Sequence, residues 1–344
     1  MNVYEYLRDY AVAKIVDNAE ITGGLKTYEQ LATFIDVVQQ KSPVLDEVRL
    51  ERMKSFQKEI AAISTPTGYL YPGRIEKGGQ IEKVIPGESE NTSEFSLAGM
   101  IQQNMLDAKE FVLVASIDFD TLEDTIEGPD FEQRIVEMMG QSAALDLERA
   151  FLFGDKDLKM PATANPILKA LDGWIKRAGV QVYGYDRTED TTTIPKDFDP
   201  AAAAFPVNMF DAMLDAIDKK YLVPRRDLRF YVDWKTYSAY REHVMSRETA
   251  LGDEVLTGET TLSYDGIPVV PVPSFDDPEV VELEGRKALL SKPDNMVWGV
   301  YREIGVEAQR IPRKRVVEHV LTVRTDCQYA DRYCAVTANI NQPA

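Results

Sequence analysis

The chain has little of the chemistry from which most active sites are built. Its 344 residues include two histidines and two cysteines. His243 and His319 have no Cys, His or Asp neighbour at the spacing of metal ligands, and Cys327 and Cys334 do not form a C-x-x-C pattern. We therefore expect no metal, no cofactor and no disulfide framework, and we interpret both cysteines as buried or half-buried thiols.

Motifs of catalysis and phosphate binding are also absent from the sequence. It contains no G-x-x-x-x-G-K-[ST], G-x-G-x-x-G, H-E-x-x-H or G-x-S-x-G pattern. Acidic pairs such as Asp118 and Asp120 could serve glycoside hydrolysis, but close pairs arise by chance among 57 acidic residues. An enzyme is therefore the minor alternative, and turnover on any substrate panel would revive it.

Positive charge and long apolar runs are scarce as well. The 39 Lys and Arg residues leave a formal net charge of -18, which argues against a dedicated nucleic-acid-binding surface. No apolar run approaches the ~20 residues that span a bilayer, and the first residues, MNVYEYLRDYAVAKIV, are too charged for a signal peptide. We expect folding in a reducing cytoplasm and no contact with a membrane.

The longest regular pattern that is present lies at residues 128–155 and predicts a long helix. Pro129 suits its first position and Gly154 its end. Because an isolated helix is marginal in water, we expect one face to be buried. The steps of three and four residues place on that face Phe131, Ile135, Met138, Ser142, Leu145, Arg149 and Leu152, and they place Glu137 and Glu148 off it.

Two other segments look unable to bury themselves. Residues 66–95 are punctuated by Gly and Pro and contain few apolar residues, which predicts a long polar hairpin with Gly78 and Gly79 at or near its tip. A loop of this length is usually functional or disordered. Residues 1–65 show amphipathic helical patches but no core of their own, so we interpret them as an arm.

The rest of the chain mixes helices and strands without a strict βαβ alternation, which favours an α+β fold. Strands are predicted in EFVLVASIDFD, LRFYVD, DGIPVVPVP, KALLSK, NMVWGVY and GVEAQR, and in the closing segments HVLTVRTDCQYA and YCAVTANI. The prolines of DGIPVVPVP favour an edge position. Helices are predicted at Asn208 to Tyr221 and at Trp234 to Met245.

The order of these parts resembles the tailed-bacteriophage major capsid protein of the Hong Kong 97 type. The resemblance covers roughly residues 65–340, and it consists of local patterns in the family's order rather than of one strong motif. The segments that carry it are TSEFSLAGMIQQNMLDAKEFVLVASIDFDTLEDT, LERAFLFGD, PILKALDGW, FYVDWKTYSAYREHVMSR, LSYDGIPVVPVPSF, KALLSKPDNMVWGVYREIGVEAQR and VRTDCQYADRYCAVTANI.

This resemblance implies an architecture for the whole chain. The expected parts, in order, are an N-terminal arm at 1–65, an extended loop (E-loop) at 66–100, a peripheral domain with the long spine helix at 101–200, an axial domain at 201–300 and return strands of the peripheral domain at 301–344. Some family members carry a long charged scaffolding extension at the N-terminus. The arm here is shorter than that and its charges are mixed, which implies either a separate scaffolding protein or loss of such a region from this chain.

The resemblance also implies a function. The chain would be a structural subunit that assembles with copies of itself, through hexamers and pentamers, into an icosahedral head in the host cytoplasm. That virion capsid would enclose double-stranded DNA without sequence-specific binding. A scaffolding protein, a portal and a decoration protein are the further partners that it implies.

Two sets of residues are expected to make assembly contacts. The first set lies in the hairpin and comprises Arg74, Lys77, Gly78, Gly79 and Lys83. The second set is a basic cluster, which stands out in so acidic a chain and comprises Arg310, Arg313, Lys314 and Arg315. We expect the cluster to contact acidic surfaces of adjacent subunits. The alternative is a solvated strand edge, since exposed ion pairs contribute only ~0–1 kcal/mol.

Two further alternatives remain open at this point. An encapsulin-like nanocompartment shares the capsid fold but encloses cargo proteins, and a neighbouring cargo gene would distinguish it from a phage protein beside portal and terminase genes. A tail or adaptor protein of the same virion is the other alternative.

Overall fold

The computed structural model describes residues 42–63, 74–77, 80–83, 101–118, 130–157, 166–189, 192–246, 262–276, 285–301 and 305–340. The chain divides into two compact units, one formed by residues 59–105 and the other by the residues on either side of that range. The first 41 residues of the predicted arm and the predicted tip residues Gly78 and Gly79 lie outside the described residues.

Helices and strands alternate irregularly along the described residues, as the sequence predicts for an α+β chain. The helices are α1 (Asp130–Phe153), α2 (Trp174–Arg177), α3 (Val207–Ala216) and α4 (Trp234–Met245). The strands are β1 (Arg49–Met53), β2 (Gln57–Ile63), β3 (Arg74–Lys77), β4 (Gln80–Lys83), β5 (Ile101–Asp107), β6 (Lys109–Asp118), β7 (Val180–Tyr183), β8 (Arg187–Glu189), β9 (Thr192–Ile194), β10 (Arg229–Val232), β11 (Ser263–Tyr264), β12 (Ile267–Pro271), β13 (Arg286–Ser291), β14 (Met296–Tyr301), β15 (Gly305–Ile311), β16 (Val316–Tyr329) and β17 (Val336–Asn339).

A five-stranded sheet is built around β16, the longest of these strands. One edge of β16 pairs antiparallel with β6 along the full length of β6. Its other edge pairs first with β15 and then with β14, both antiparallel. Strand β1 extends the sheet by pairing parallel with β14. The sheet therefore joins residues 49–53 to residues 296–301, and residues 109–118 to residues 316–325.

The two faces of β6 differ in burial, as expected for a half-buried strand. Phe111, Leu113, Ala115 and Ile117 are buried or half-buried, whereas Val112 and Val114 on the other face are exposed. Side chains alternate between the faces of a strand, but both faces of β6 carry apolar residues, so its sequence alone does not tell which face is buried.

A six-stranded sheet has the order β11-β12-β10-β13-β17-β7. Both of its faces are buried, because Tyr231 and Leu289, which pair with each other, lie in the same hydrophobic cluster as α1, whereas Phe230 and Leu290 lie in a second cluster with α3 and α4. Burial on both faces explains the continuous apolar runs RFYV and KALL. The range 201–300, predicted as the axial domain, leaves out β7 and β17 of this sheet.

Two local predictions in this region are wrong. The helix predicted to reach Tyr221 ends at Ala216, because Ile217 takes an extended ψ of 142° and Asp218 accepts a hydrogen bond from the Lys220 amide, which starts a separate 3-10 turn. Strand β12 is not at the edge, since β11 pairs with it. That pairing involves only Ile267 and Pro268 of β12, so Pro268 lies opposite Ser263, whereas Pro271 lies beyond the two-residue strand.

The buried face predicted for the long helix is wrong at Met138, Ser142 and Leu145 but right at Leu152, and the predicted end at Gly154 is confirmed. The side chains of Phe131 and Ile135 lie outside the described residues. Met138 is 64% exposed and Leu145 is 48% exposed. The side chains that are buried instead include Met139, Ala143, Ala144, Leu147, Glu148, Ala150 and Phe151. Phe151 packs edge-on against Trp174 with ring centroids 5.6 Å apart. The centre of the buried face thus lies on the opposite side of the helix, roughly 180° from the centre of the predicted face.

The end of α1 is held by close backbone approach and by an ion cluster. A Cβ on Gly173 would lie 2.7 Å from the backbone N of Gly154 and from the backbone O of Leu152, so only glycine fits there. Lys176 Nζ lies 2.6 Å from Asp155 Oδ1, 2.8 Å from Asp157 Oδ2 and 2.9 Å from Asp172 Oδ1. This geometry fixes the loop after α1 against the start of α2.

The electrostatics of the cluster follow from its contacts. Burial alone would raise the pKa of Asp172, but hydrogen bonds from Lys176 and from the Lys156 amide, together with both lysine charges, lower it to about 2. Burial likewise opposes the charge of Lys176, yet its three carboxylate partners raise its pKa. Asp172 and Lys176 are therefore both charged at neutral pH.

Candidate assembly surfaces

The hairpin in the unit formed by residues 59–105 has the register expected for a two-residue turn. Strands β3 and β4 pair antiparallel, with Lys77 opposite Gln80 and Arg74 opposite Lys83. Ile75 lies opposite Glu82, and Ile81 lies opposite Glu76. Directly opposed residues share a face of the ladder, so each face of this hairpin receives one isoleucine among polar residues. Such a two-stranded ribbon is marginal by itself.

The predicted contact residues of the hairpin are therefore only partly located by the structure. Arg74, Lys77 and Lys83 lie in the paired strands. Gly78 and Gly79 connect those strands and lie outside the described residues. A role for all five in assembly stays a prediction.

The basic cluster forms the tip of the hairpin between β15 and β16. The amides of Lys314 and Arg315 donate to the carbonyl oxygens of Ile311 and Pro312, at 3.2 and 3.3 Å. Arg315 has a positive φ of 56°, a conformation that costs energy for any residue with a Cβ. The structure thus places Arg313, Lys314 and Arg315 in one turn and Arg310 near the end of the strand that enters it.

All four of these basic side chains are exposed. Lys314 Nζ lies 3.3 Å from Glu318 Oε1, an ion pair at the surface of the subunit. Asp118 lies opposite Val316 in the neighbouring strand, so one further carboxylate borders the turn. The turn still carries more positive than negative charge, and whether it touches another subunit remains a prediction.

An exposed apolar surface was missed by the sequence analysis. It comprises Val112 and Val114 on β6 and Met138 and Leu145 on α1, and we call it the apolar strip. Beside it, a groove of about 280 Å³ is lined by Leu113, Val114, Ala115, Met138, Met139 and Ser142. Contiguous exposed apolar surface marks sites of interaction. The signal that could have revealed it is the run of small residues Ala143, Ala144 and Ala150, which marks the close-packed face of α1.

Cys327, Cys334 and His319 are of the residue types that often serve in catalysis, but here all three are buried. Cys327 and Cys334 are free and buried, as predicted, and burial raises the pKa of the Cys334 thiol to about 11. His319 is buried in β16, opposite Ala115 and Ala308. Within the described ranges, no three His, Cys, Asp or Glu residues are grouped to hold a metal ion. None of the described helices is both long and apolar enough to cross a membrane.

The fold that these surfaces belong to is that of phage capsid proteins. A chain of the satellite phage P4 procapsid, a structure that includes the size determination (Sid) protein, aligns with a TM-score of 0.63 over 97% of each chain at 16% identity. A chain of Mycobacterium phage Bobi aligns with a TM-score of 0.52 over 94% of each chain at 13% identity. The capsid of an empty GTA particle aligns with a TM-score of 0.51 over 94% of each chain at 11% identity.

A similar sequence points the same way. The chain is 24% identical over 328 residues to YqbE of Bacillus subtilis (strain 168), described as a prophage capsid protein, and the match covers 92% of this chain and 95% of that one. No family model matches. The resemblance to phage capsid proteins is confirmed by these comparisons.

Proposed function

We propose that this chain is a structural major capsid protein of a tailed phage or prophage. The observation that carries the proposal is the end-to-end similarity to a prophage capsid protein, together with a capsid fold that covers nearly the whole of both aligned chains. The matches are to structural proteins of phage shells, which favours a phage head over an encapsulin-like compartment and over an enzyme.

The finer architecture that we propose is that of the Hong Kong 97 type. The peripheral domain would contain α1 and the five-stranded sheet, and the axial domain would contain the six-stranded sheet with α3 and α4. The cluster of α3 and α4 is separate from that of α1 and supports this division, while Tyr231 and Leu289 on the other face of the six-stranded sheet pack in the cluster of α1. Residues 1–65 would form the arm, whose β1 joins the five-stranded sheet. Residues 66–100 would form the extended loop and 301–344 the return strands, with β17 assigned to the axial sheet.

The proposed product of assembly is an icosahedral shell of hexamers and pentamers that encloses double-stranded DNA. Identical subunits close into rings through heterologous contacts, which need complementary surfaces such as the polar hairpin, the basic turn and the apolar strip. The net charge of -18 would limit non-specific adhesion to packaged DNA, whose phosphates it repels. A scaffolding protein, a portal and a decoration protein complete the proposed partners, and assembly would take place in the host cytoplasm.

Negative-stain microscopy of the purified full-length protein tests this function. We expect closed shells or capsomer rings. A monomer that forms neither, alone or with a co-expressed scaffolding protein, would contradict it. Shells that enclose a co-expressed protein cargo with a docking tail would restore the encapsulin alternative.

Deletion of Lys77 to Lys83 tests the proposed role of the hairpin. Because the hairpin belongs to a unit of its own, we expect the deleted subunit to stay soluble and folded but to form no shells. Normal shells from the deletion would refute the role.

A further inference from the structure

A buried carboxyl on α1 has no evident part in the proposed function. Glu148 is 1% exposed. Its Oε1 accepts a hydrogen bond from Ser274 Oγ at 2.6 Å, and its Oε2 accepts one from Ser42 Oγ. The backbone amide of Val44 also donates to it. In the part of the chain that the structure describes, hydroxyls and this amide are the partners found for Glu148, and no cation is among them.

These hydrogen bonds join three segments that are far apart in sequence. Ser42 begins the segment 42–48, whose Val44, Leu45 and Val48 are buried in the same cluster as α1. Ser274 belongs to the 3-10 turn Pro273–Asp276 that follows β12 of the six-stranded sheet. Glu148 is therefore the polar junction of that turn, the long helix and the segment that leads into β1.

The ionised form of this carboxyl is poorly accommodated. A buried charge without a counter-ion is costly, and hydroxyl partners offset only part of that cost. Burial accordingly raises the pKa of Glu148 above its usual value of 4.5, and the hydrogen bonds from Ser274, Ser42 and Val44 lower it again in part. The neutral carboxyl keeps its acceptor oxygen and gains a donor, and serine hydroxyls can rotate to suit it.

We propose that Glu148 is a proton-operated latch for the segment 42–48. With the carboxyl protonated, the three segments are held firmly together; with the carboxyl ionised, the segment opens locally more often. The latch depends on the proposed function in one respect only: in a capsid subunit, the segment 42–48 would be the base of the N-terminal arm. Proton binding at one buried site would then set how firmly the arm is fixed to the subunit.

The sign of the effect follows from linkage. A folded-state pKa raised above the unfolded value gives stability that is complete below the unfolded pKa, near 4.5, and is lost as the pH rises through the folded pKa. The segment should therefore be most firmly held in mild acid and less firmly held at pH 8.

The other charged groups on the surrounding elements are exposed or have partners of their own. On the segment 42–48, Asp46 is exposed, and Glu47 accepts a hydrogen bond from the Tyr231 hydroxyl at 3.1 Å and pairs with Arg229 at 3.4 Å. On the 3-10 turn, Asp276 accepts from the Trp234 amide at 2.8 Å. On α1, Asp146 pairs with Arg149 at 3.7 Å.

Hydrogen exchange of the unassembled full-length subunit tests the latch. The reporters are the amides of Leu45, Asp46 and Glu47, which donate to Ser42 Oγ, to the Ser42 carbonyl and to the Val44 carbonyl. Glu148→Gln imitates the neutral carboxyl. At pH 8, where the opened segment carries an ionised carboxylate, we expect these amides to exchange at least about threefold more slowly in Glu148→Gln than in the parent. At pH 4, below the usual pKa of 4.5, the difference should shrink to less than about twofold.

Comparison at one pH cancels the chemical exchange rate, and Asp146→Asn on the same helix serves as the matched control with no expected change in these amides. Equal exchange in Glu148→Gln and the parent at both pH values, or faster exchange in Glu148→Gln at pH 8, would overturn the latch. Should Glu148→Gln not fold, Ser274→Ala gives the same test, because losing one donor to the carboxylate should speed exchange more at pH 8 than at pH 4. An equal effect at both pH values would overturn it. None of these readouts requires assembly, so failure of the latch and failure of the proposed function are distinguishable.

Discussion

Single residues in this chain act mainly by fixing where segments meet. Gly173 permits the loop after α1 to touch the helix backbone, and Thr325 Oγ1 both accepts from Trp298 Nε1 and donates to the Gly299 carbonyl, at 2.8 and 2.7 Å. Buried polar groups of this kind are satisfied inside the subunit. They specify the fold, whereas the residues expected to act between subunits lie at its surface.

The ion cluster at the end of α1 gives a prediction at this scale. Asp172 has a pKa of about 2 in the folded chain against a usual 3.8, so its stabilising effect is present above pH 3.8 and is lost as the pH falls towards 2. We expect Asp172→Asn to lower the free energy of unfolding by about 1–2 kcal/mol at pH 7, allowing for its 24% exposure. Urea titrations at pH 7 and pH 3 should show the loss narrowing in acid.

Asp157→Asn is the matched control for that prediction. Asp157 also contacts Lys176 Nζ, at 2.8 Å, but its side chain is 89% exposed. We expect a change of less than about 0.5 kcal/mol, as for most surface substitutions. Equal losses in the two variants, or a loss in Asp172→Asn that does not depend on pH, would contradict the assignment.

At the scale of the element, the long helix gives the clearest prediction. Leu147 is 2% exposed and packs in the core, whereas Leu145 is half exposed. Leu147→Ala should therefore cost roughly 2–5 kcal/mol, the range for truncation of a buried leucine. Leu145→Ala should change the stability of the unassembled subunit by less than about 0.5 kcal/mol. Thermal melts of both variants measure this, and a larger loss for Leu145→Ala would restore the predicted face.

The same helix shows what the sequence could and could not predict. Its length, its end at Gly154 and the following strands were predictable, because they depend on local periodicity and on terminal residues. The buried face was not, because α1 carries apolar residues on opposite faces. The choice between them depends on Phe151, which packs against Trp174 and Trp298 from distant parts of the chain. A pattern of single positions does not contain that information.

The candidate surfaces also differ in whether the sequence could predict them. Local composition predicted the hairpin and the basic turn, since glycine pairs and clustered charge are visible in the sequence. The apolar strip and the Glu148 junction were not predictable. Val114 and Met138 become neighbours only when β6 and α1 pack together, and the partners of Glu148 are more than one hundred residues away.

At the scale of the whole molecule, net charge should govern how readily subunits associate. Copies that each carry a formal charge of -18 repel one another, and salt screens that repulsion. We expect the yield of assembled particles, measured by sedimentation, to rise with ionic strength. Arg313→Glu should give a lower yield than the parent, and the difference should be largest at low salt. The substitution removes attraction at the basic turn and adds negative charge.

Lys235→Glu is the matched control for that variant. Lys235 is exposed on α4, so its reversal changes the net charge equally but leaves the basic turn intact. A similar yield for the two variants at every salt concentration would mean that the turn is a solvated strand edge. A yield of the parent that falls with salt would contradict the role of net repulsion.

The placement of the closing strands has a consequence for how the subunit is made. Strand β16 lies between β6 and the pair β14 and β15, and β17 lies between β13 and β7. A ribosome delivers residues 316–339 after all of those partners, so neither sheet can close while the chain is still being translated up to that point. Until then the waiting strands present open edges, which are prone to wrong pairing. A truncated translation product therefore lacks the closed sheets of the complete subunit. Premature termination would yield a chain that is open to proteolysis rather than a defective subunit in the shell.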